Sequence, residues 1–135
     1  MKIALVSAPV RTGDMDFNTA SMMDAMRYVR GKADVIVFGE SVLQGFDSLC
    51  WDYEQDRHTA VSLTDAPIRK MREAARENGL AVSFGLIERD EDALYSSQIF
   101  IGAADCAAGA GAYFKSGEIV AEHPCGTPGV LIVDM

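Results

Sequence analysis

An α/β fold is what this sequence predicts, on three observations. The run "DVIVFGES" at residues 34–41 holds consecutive β-branched and aromatic residues, the pattern of a strand buried on both faces. An earlier apolar run and a helical pattern precede it, so the chain opens β-α-β, a unit whose crossover is right-handed and parallel. A second helical pattern then leads into the strand-like "LAVSFGLIE" and an antiparallel return.

Taken in order, Ile3 to Val6 is the first strand, followed by a polar loop through Arg11, Gly13 and Asp16. Asn18 can cap a helix running to about Val29. Met22, Met26 and Val29 fall at helical spacing on one face, and Gly31 is the stop. The methionine stripe reads as core packing before it reads as a partner surface. The strand at 34–38 follows.

Residues 41–64 are a long irregular stretch carrying the only Trp; such a segment is usually functional or holds a short helix. Asp65 and Pro67 open the second main helix, with Ile68, Met71 and Ala75 on one face and Gly79 past its end. Strand 80–88, a turn at "RDEDA" and strand 94–101 form an antiparallel pair. The Gly/Ala-rich "GAADCAAGAGA" has too little bulk for a strand. Its Gly109 and Gly111 fail as a dinucleotide loop because no helix follows them. The hairpin "AYFKSGEIVAE", with Gly117 suited to a left-handed turn position, and a last strand "GVLIVDM" complete the chain.

The 135 residues make one domain, and a formal net charge of −8 argues against a nucleic-acid surface, which needs clustered Lys and Arg. No basic amphipathic stretch suits a membrane surface, and no apolar run is long enough to span a bilayer. "MKIALVSAPV" breaks at Pro9 and reads as a strand rather than a leader. Cys50, Cys106 and Cys125 are odd in number and lack close-pair spacing, which favours a reducing, cytoplasmic setting over a disulfide framework. His58 and His123 lie in unlike contexts and read as surface residues. Asp14, Asp16 and Asp90 to Asp92 read as solvated turns without calcium-loop spacing. No zinc pattern exists and no cofactor is implied. The unusual feature is Glu40, a carboxylate placed where a buried strand should open onto solvent or a cleft.

"MKIALVSAPV", then "ADVIVFGES", then "AVSFGLIERDEDALYSSQIFIG" resembles the carbon–nitrogen hydrolases of the nitrilase superfamily. In that family the strand after the first helix ends in a glutamate, usually preceded by proline; here Gly39 takes that place. The resemblance implies that Glu40 is the general base and that a small amide, carbamoyl or nitrile substrate arrives at the strand mouth. It implies acyl transfer through a cysteine thioester, with a lysine stabilising the tetrahedral oxyanion. A base in such a site works best when partly withdrawn from water, which the end of a hydrophobic strand would provide.

The tail "GAGAYFKSGEIVAEHPCGTPGVLIVD" resembles the family's C-terminal hairpin and last strand. Residues 1–102 thus correspond to the family's N-terminal half and 108–135 to its end, one incomplete domain over 1–135 with the middle skipped. That middle carries the lysine and cysteine motifs. Lys115 in "YFKSG" does not match the lysine motif, Cys106 has no strand before it, and Cys125 is a turn residue. Cys50 follows Glu40 in the same loop and could line the pocket, but matches no nucleophile motif. Glu40 alone carries over.

The family fold is an α-β-β-α sandwich. A chain keeping both ends would retain a mixed sheet with two main helices on one face, the first strand pairing with Val130 to Val133. Its other face would be a bare apolar patch, which predicts either self-association as a homo-oligomer or marginal stability. Two rival readings stand beside the hydrolase: a catalytically silent remnant or interaction module, and a doubly wound binding domain. The last would need a phosphate-cradling Gly loop after the first strand, where Pro9 and Arg11 stand instead.

Overall fold

In the computed structural model, residues 1–103 are described in full, and of the remainder the backbone of two strands, 111–115 and 118–123. The elements are β1 (Ile3–Leu5), α1 (Met15–Val29), β2 (Val35–Val37), α2 (Tyr53–Thr59), α3 (Ala66–Asn78), β3 (Ala81–Asp90), β4 (Ala93–Ile101), β5 (Gly111–Lys115) and β6 (Glu118–His123). The first four strands form one sheet in the order β1-β2-β3-β4. β1 pairs parallel with β2 and β2 with β3, while β4 returns antiparallel, Val82 opposite Ile101 through Asp90 opposite Ala93. The sheet is therefore mixed, as the apolar runs predicted. β5 and β6 make a separate antiparallel pair with an irregularity at Tyr113/Phe114.

Both main helices cover the same face of this sheet. Alternation along the strands sends Ile36, Val82, Phe84 and Leu86 to one side, where they meet Met22 and Met26 of α1 and Ile68 and Met71 of α3. All eight side chains are fully buried. The methionine stripe of α1 is core. On the opposite side of the sheet Ile3 and Leu5 of β1 stay 53% and 81% exposed, so the apolar face expected there exists at the β1 edge.

The elements depart from the sequence reading in particular places. Helix α1 starts earlier than Asn18: Asp14 is its cap, accepting from Phe17 N at 2.9 Å. Asn18 is instead buried within the helix, its amide committed to tertiary bonds. The stretch 41–64 contains α2, capped by Asp52, which accepts from Gln55 N at 3.1 Å. Its residues "YEQDRHT" carry no apolar periodicity, which is why no pattern announced it. Asp65 holds the cap position of α3 without a side-chain cap bond; its carboxylate accepts from Ser62 N at 2.8 Å. Gly79 ends α3 in the left-handed conformation at φ 60.

The turn between β3 and β4 is also tighter than "RDEDA" suggested. Arg89 and Asp90 still pair across to Leu94 and Ala93, leaving a two-residue loop at Glu91 and Asp92, with Glu91 at φ 50. Polar residues at a strand end look like a turn in sequence, but their backbone groups can continue the ladder. Gly117 and the strand predicted at 129–135, with its pairing to β1, lie outside the described residues, as do Cys106 and Cys125.

Candidate active site

β2 is only three residues long, yet β3 runs on for ten, so the exposed edge of β3 needs other partners beyond Val37. The segment after β2 supplies them. Phe38 N donates to Ser83 O at 2.9 Å, and Gly85 N donates to Gly39 O at 3.2 Å. After Glu40 and Ser41 the chain returns, Leu43 N donating to Gly85 O at 3.4 Å. Gln44, fully buried, then uses its side chain as a strand would use its backbone: Ile87 N donates to its Oε1 at 3.0 Å and its Nε2 donates to Ile87 O at 2.9 Å. Val61 completes the edge, its N donating to Ile87 O at 3.0 Å and its O accepting from Arg89 N at 2.9 Å.

This segment is pinned from its other side as well. Asn18 Nδ2 donates to Leu43 O at 3.0 Å and to Arg11 O at 2.8 Å, while its Oδ1 accepts from Arg11 N at 2.7 Å. Gly13 N donates to Gln44 O at 2.8 Å. A Cβ on Gly45, at φ 93, would stand 2.8 Å from Thr12 Cα, so only glycine permits that approach. The loop after β1 and the loop after β2 are thereby one packed unit.

Glu40 emerges from this unit into a cavity of about 620 Å³. The floor includes Ser41 and Ile87, and the hairpin side contributes Leu94, Tyr95 and Ser96. Phe46, Leu49 and Trp51 form an apolar and aromatic wall, with Asp47 and Asp56 as the further acids. Ser96 Oγ donates to Glu40 Oε1 at 3.4 Å. The position predicted for Glu40, beyond the C-terminal end of a strand flanked on both sides and facing a concavity, is where it lies. Its surroundings differ from the expectation: Glu40 is exposed.

Cys50 is an exposed free thiol, and its Sγ lies 3.2 Å from Asp56 Oδ1. The cavity is lined by its neighbours Leu49 and Trp51, not by Cys50 itself, which corrects the sequence reading of that residue. Asp56 is 5% exposed and accepts from Cys50 N and Trp51 N, each at 2.9 Å. The Cys50 backbone bond, aided by the Cys50 thiol and the Trp51 amide and opposed by burial, holds the Asp56 carboxyl below the usual aspartate value. Trp51 sits at φ 66, the left-handed region that side chains rarely adopt, so the two amides converge on one carboxylate at a cost in backbone strain.

The other sequence candidates fall elsewhere. His58 is exposed on α2; Asp14 caps α1, and Asp16, in the first turn of α1, stays in solvent and pairs with Lys70 at 3.2 Å. Asp92 contributes its backbone carbonyl, which accepts from Tyr53 OH at 2.7 Å and ties α2 to the β3–β4 turn. No Lys, Arg or His lines the cavity among the described residues. Sequence reasoning missed Gln44, Gly85 and Asp56. Only Gly85 carried a signal: an isolated glycine inside an apolar strand marks a bulge or a close backbone approach.

Comparison with known proteins agrees with this fold. The family described as Carbon-nitrogen hydrolase matches residues 2–116. An (R)-stereoselective amidase from a Pseudomonas species is 29% identical over 101 residues, which is 75% of this chain but 35% of that protein. A carbon–nitrogen hydrolase superfamily protein from Xanthomonas campestris, solved with an arsenic adduct in its active site, superposes with TM-score 0.65 at 18% identity, over 76% of this chain and 37% of its own. An amidase from a Nesterenkonia species superposes with TM-score 0.61 at 20% identity, over 90% of this chain and 41% of its own. The chain thus spans well under half the length of these relatives, and the two solved structures share its fold. The chain belongs to the carbon–nitrogen hydrolase family.

Proposed function

We propose that this chain carries the base-bearing part of an enzyme that hydrolyses a small amide, carbamoyl or nitrile C–N bond, with Glu40 as general base. The single observation that carries the reading is Glu40 at the mouth of β2, aimed into a cavity with apolar and aromatic walls. In the reaction a thiol gives its proton to the Glu40 carboxylate and attacks the carbonyl carbon. The resulting oxyanion is held by a cation, the amine leaves with a proton, and water cleaves the thioester. Neither the family's cysteine motif nor its lysine motif occurs in this sequence.

A second reading is therefore carried on a specific observation. Cys50, the thiol nearest in sequence to Glu40, is engaged by Asp56 rather than by Glu40. On that reading the chain is a catalytically silent remnant or interaction module. In either case residues 1–102 stand for the family's N-terminal half and 108–135 for its end. The odd cysteine set supports a cytoplasmic site of action, and the apolar β1 face supports self-association.

Acyl-enzyme trapping decides between the readings. The chain is incubated with a panel of small amides and read by intact mass, with Glu40→Gln and Cys50→Ala beside it. An adduct on a cysteine that vanishes in Glu40→Gln establishes the hydrolase. Absence of any adduct across the panel leaves the silent module.

A further inference from the structure

We propose that Gly85 is a positioning residue for Glu40, the proposal resting on the reading of Glu40 as the general base. Gly85 sits mid-strand in β3, opposite Gln98. Its φ lies outside the left-handed range, so its backbone does not require glycine, and glycine within a strand costs stability relative to alanine. What it supplies is space. A Cβ there would stand 2.5 Å from Ser41 N, 2.7 Å from Glu40 Cα and 2.9 Å from Glu40 C. All three are backbone atoms, so no side chain can swing away to relieve the overlap.

The same residue also grips the segment on either side of Glu40. Its N donates to Gly39 O at 3.2 Å and its O accepts from Leu43 N at 3.4 Å. Ser41 is buried and held at φ 49, which folds the chain sharply down onto β3. Two residues along β3, Ile87 faces Ser96 of β4, and Ser96 Oγ reaches Glu40 Oε1 at 3.4 Å. The Glu40 main chain is thus set by contact with Gly85 and its carboxylate by Ser96, both referenced to the β3–β4 ladder. Any side chain at 85 must lift Glu40 by several tenths of an ångström to about 1 Å. Displacements of that size in a catalytic group cost on the order of 100-fold in rate.

The test compares Gly85→Ala with Gly79→Ala, which strains the left-handed end of α3 and touches nothing near the site. In the wild-type chain, proton NMR should show a strong Overhauser contact between the Gly85 and Glu40 α-protons. In Gly85→Ala the Glu40 and Ser41 amide signals should move, while core signals of α1 and α3 stay. Gly79→Ala should lower the melting temperature and leave Glu40 where it was. On any amide the wild-type chain hydrolyses, Gly85→Ala should lose about 100-fold in kcat with KM little changed.

If Gly85→Ala does not fold, adding Ser41→Gly relaxes the left-handed turn. The double variant should regain the fold with the Glu40 signals still displaced. A missing Overhauser contact, unmoved Glu40 signals in a folded variant, or full kcat in Gly85→Ala would each overturn the proposal. The NMR readouts need no turnover, so a chain that hydrolyses nothing can still place Glu40 by Gly85. A Gly85→Ala variant with undiminished turnover would refute the positioning and leave the hydrolase reading standing.

Discussion

On the helix side of the sheet, Ile36, Val82, Phe84 and Leu86 are fully closed off from water by α1 and α3; on the other side Ile3 and Leu5 of β1 remain largely in solvent. The second side is not uniformly bare. At its far end Ile87 is 4% exposed, covered where the segment following Glu40 and the residues around Val61 attach to β3. The helix side is closed by amphipathic elements that pack through shape alone. The cavity end is closed by hydrogen bonds between irregular segments, and the β1 end has apolar side chains without a cover. Stability on the first side should follow volume; at the cavity end it should follow polar pairing.

That contrast is sharpened first by Phe84→Ala. Truncating a fully buried aromatic beneath both helices should cost about 3–5 kcal/mol, read as a fall in the urea midpoint. A loss below about 1 kcal/mol would mean that the helix side is not the tightly packed one. Gln44→Leu comes next: it keeps bulk but strips the partner from Ile87 N, while Ile87 O keeps Val61 N, and should cost about 1–3 kcal/mol for the buried donor left unpaired. If Gln44→Leu proves neutral, the cavity end is held by packing after all.

Acid pH probes the same end more gently. Asp56 is held below its ordinary value of 3.8 in the folded chain, so it binds fewer protons folded than unfolded. Its contribution is fully present above that ordinary value and fades as pH falls through the lower folded value. Denaturation series between neutral pH and pH about 3 should therefore show a steeper acid loss for the wild type than for Asp56→Asn. Parallel curves would remove Asp56 as an organiser of the Cys50–Trp51 turn.

The smallest stability effect belongs to Leu5→Ser at the open edge. With the side chain 81% exposed, stability should change by no more than about 0.5 kcal/mol. On the proposed self-association through this face, light scattering coupled to gel filtration should nevertheless show a smaller mass for Leu5→Ser. A large loss of stability without a change in mass would mean that this face is covered within a single chain.

The part legible in sequence was the part built from repetition. The β-branched run at 34–38, the methionine spacing of α1 and the Ile68/Met71/Ala75 face of α3 each announce a periodic element with one environment. Glu40 stood out because it broke such a run. The rest is held by single polar side chains whose partners lie far along the chain. Gln44 meets Ile87 across 43 residues and Asn18 meets Leu43 across 25, and neither leaves a local pattern. The buried Asn18 even imitated a helix cap, since a cap and a tertiary staple use the same amide. Cys50 was legible as a thiol near Glu40, but its engagement by Asp56 depends on the turn at Trp51, which only the three-dimensional structure provides.

Trp51 is the only tryptophan in the chain, it lines the cavity, and it is 90% exposed. Its indole is therefore the sole source of tryptophan emission, and in the free chain it should emit as a water-bathed fluorophore. Anything that settles against the wall beside Glu40 displaces water from that ring and shifts or quenches its light. The molecule carries its own optical reporter of occupancy, and ligands can be titrated without label, substrate turnover or a working nucleophile.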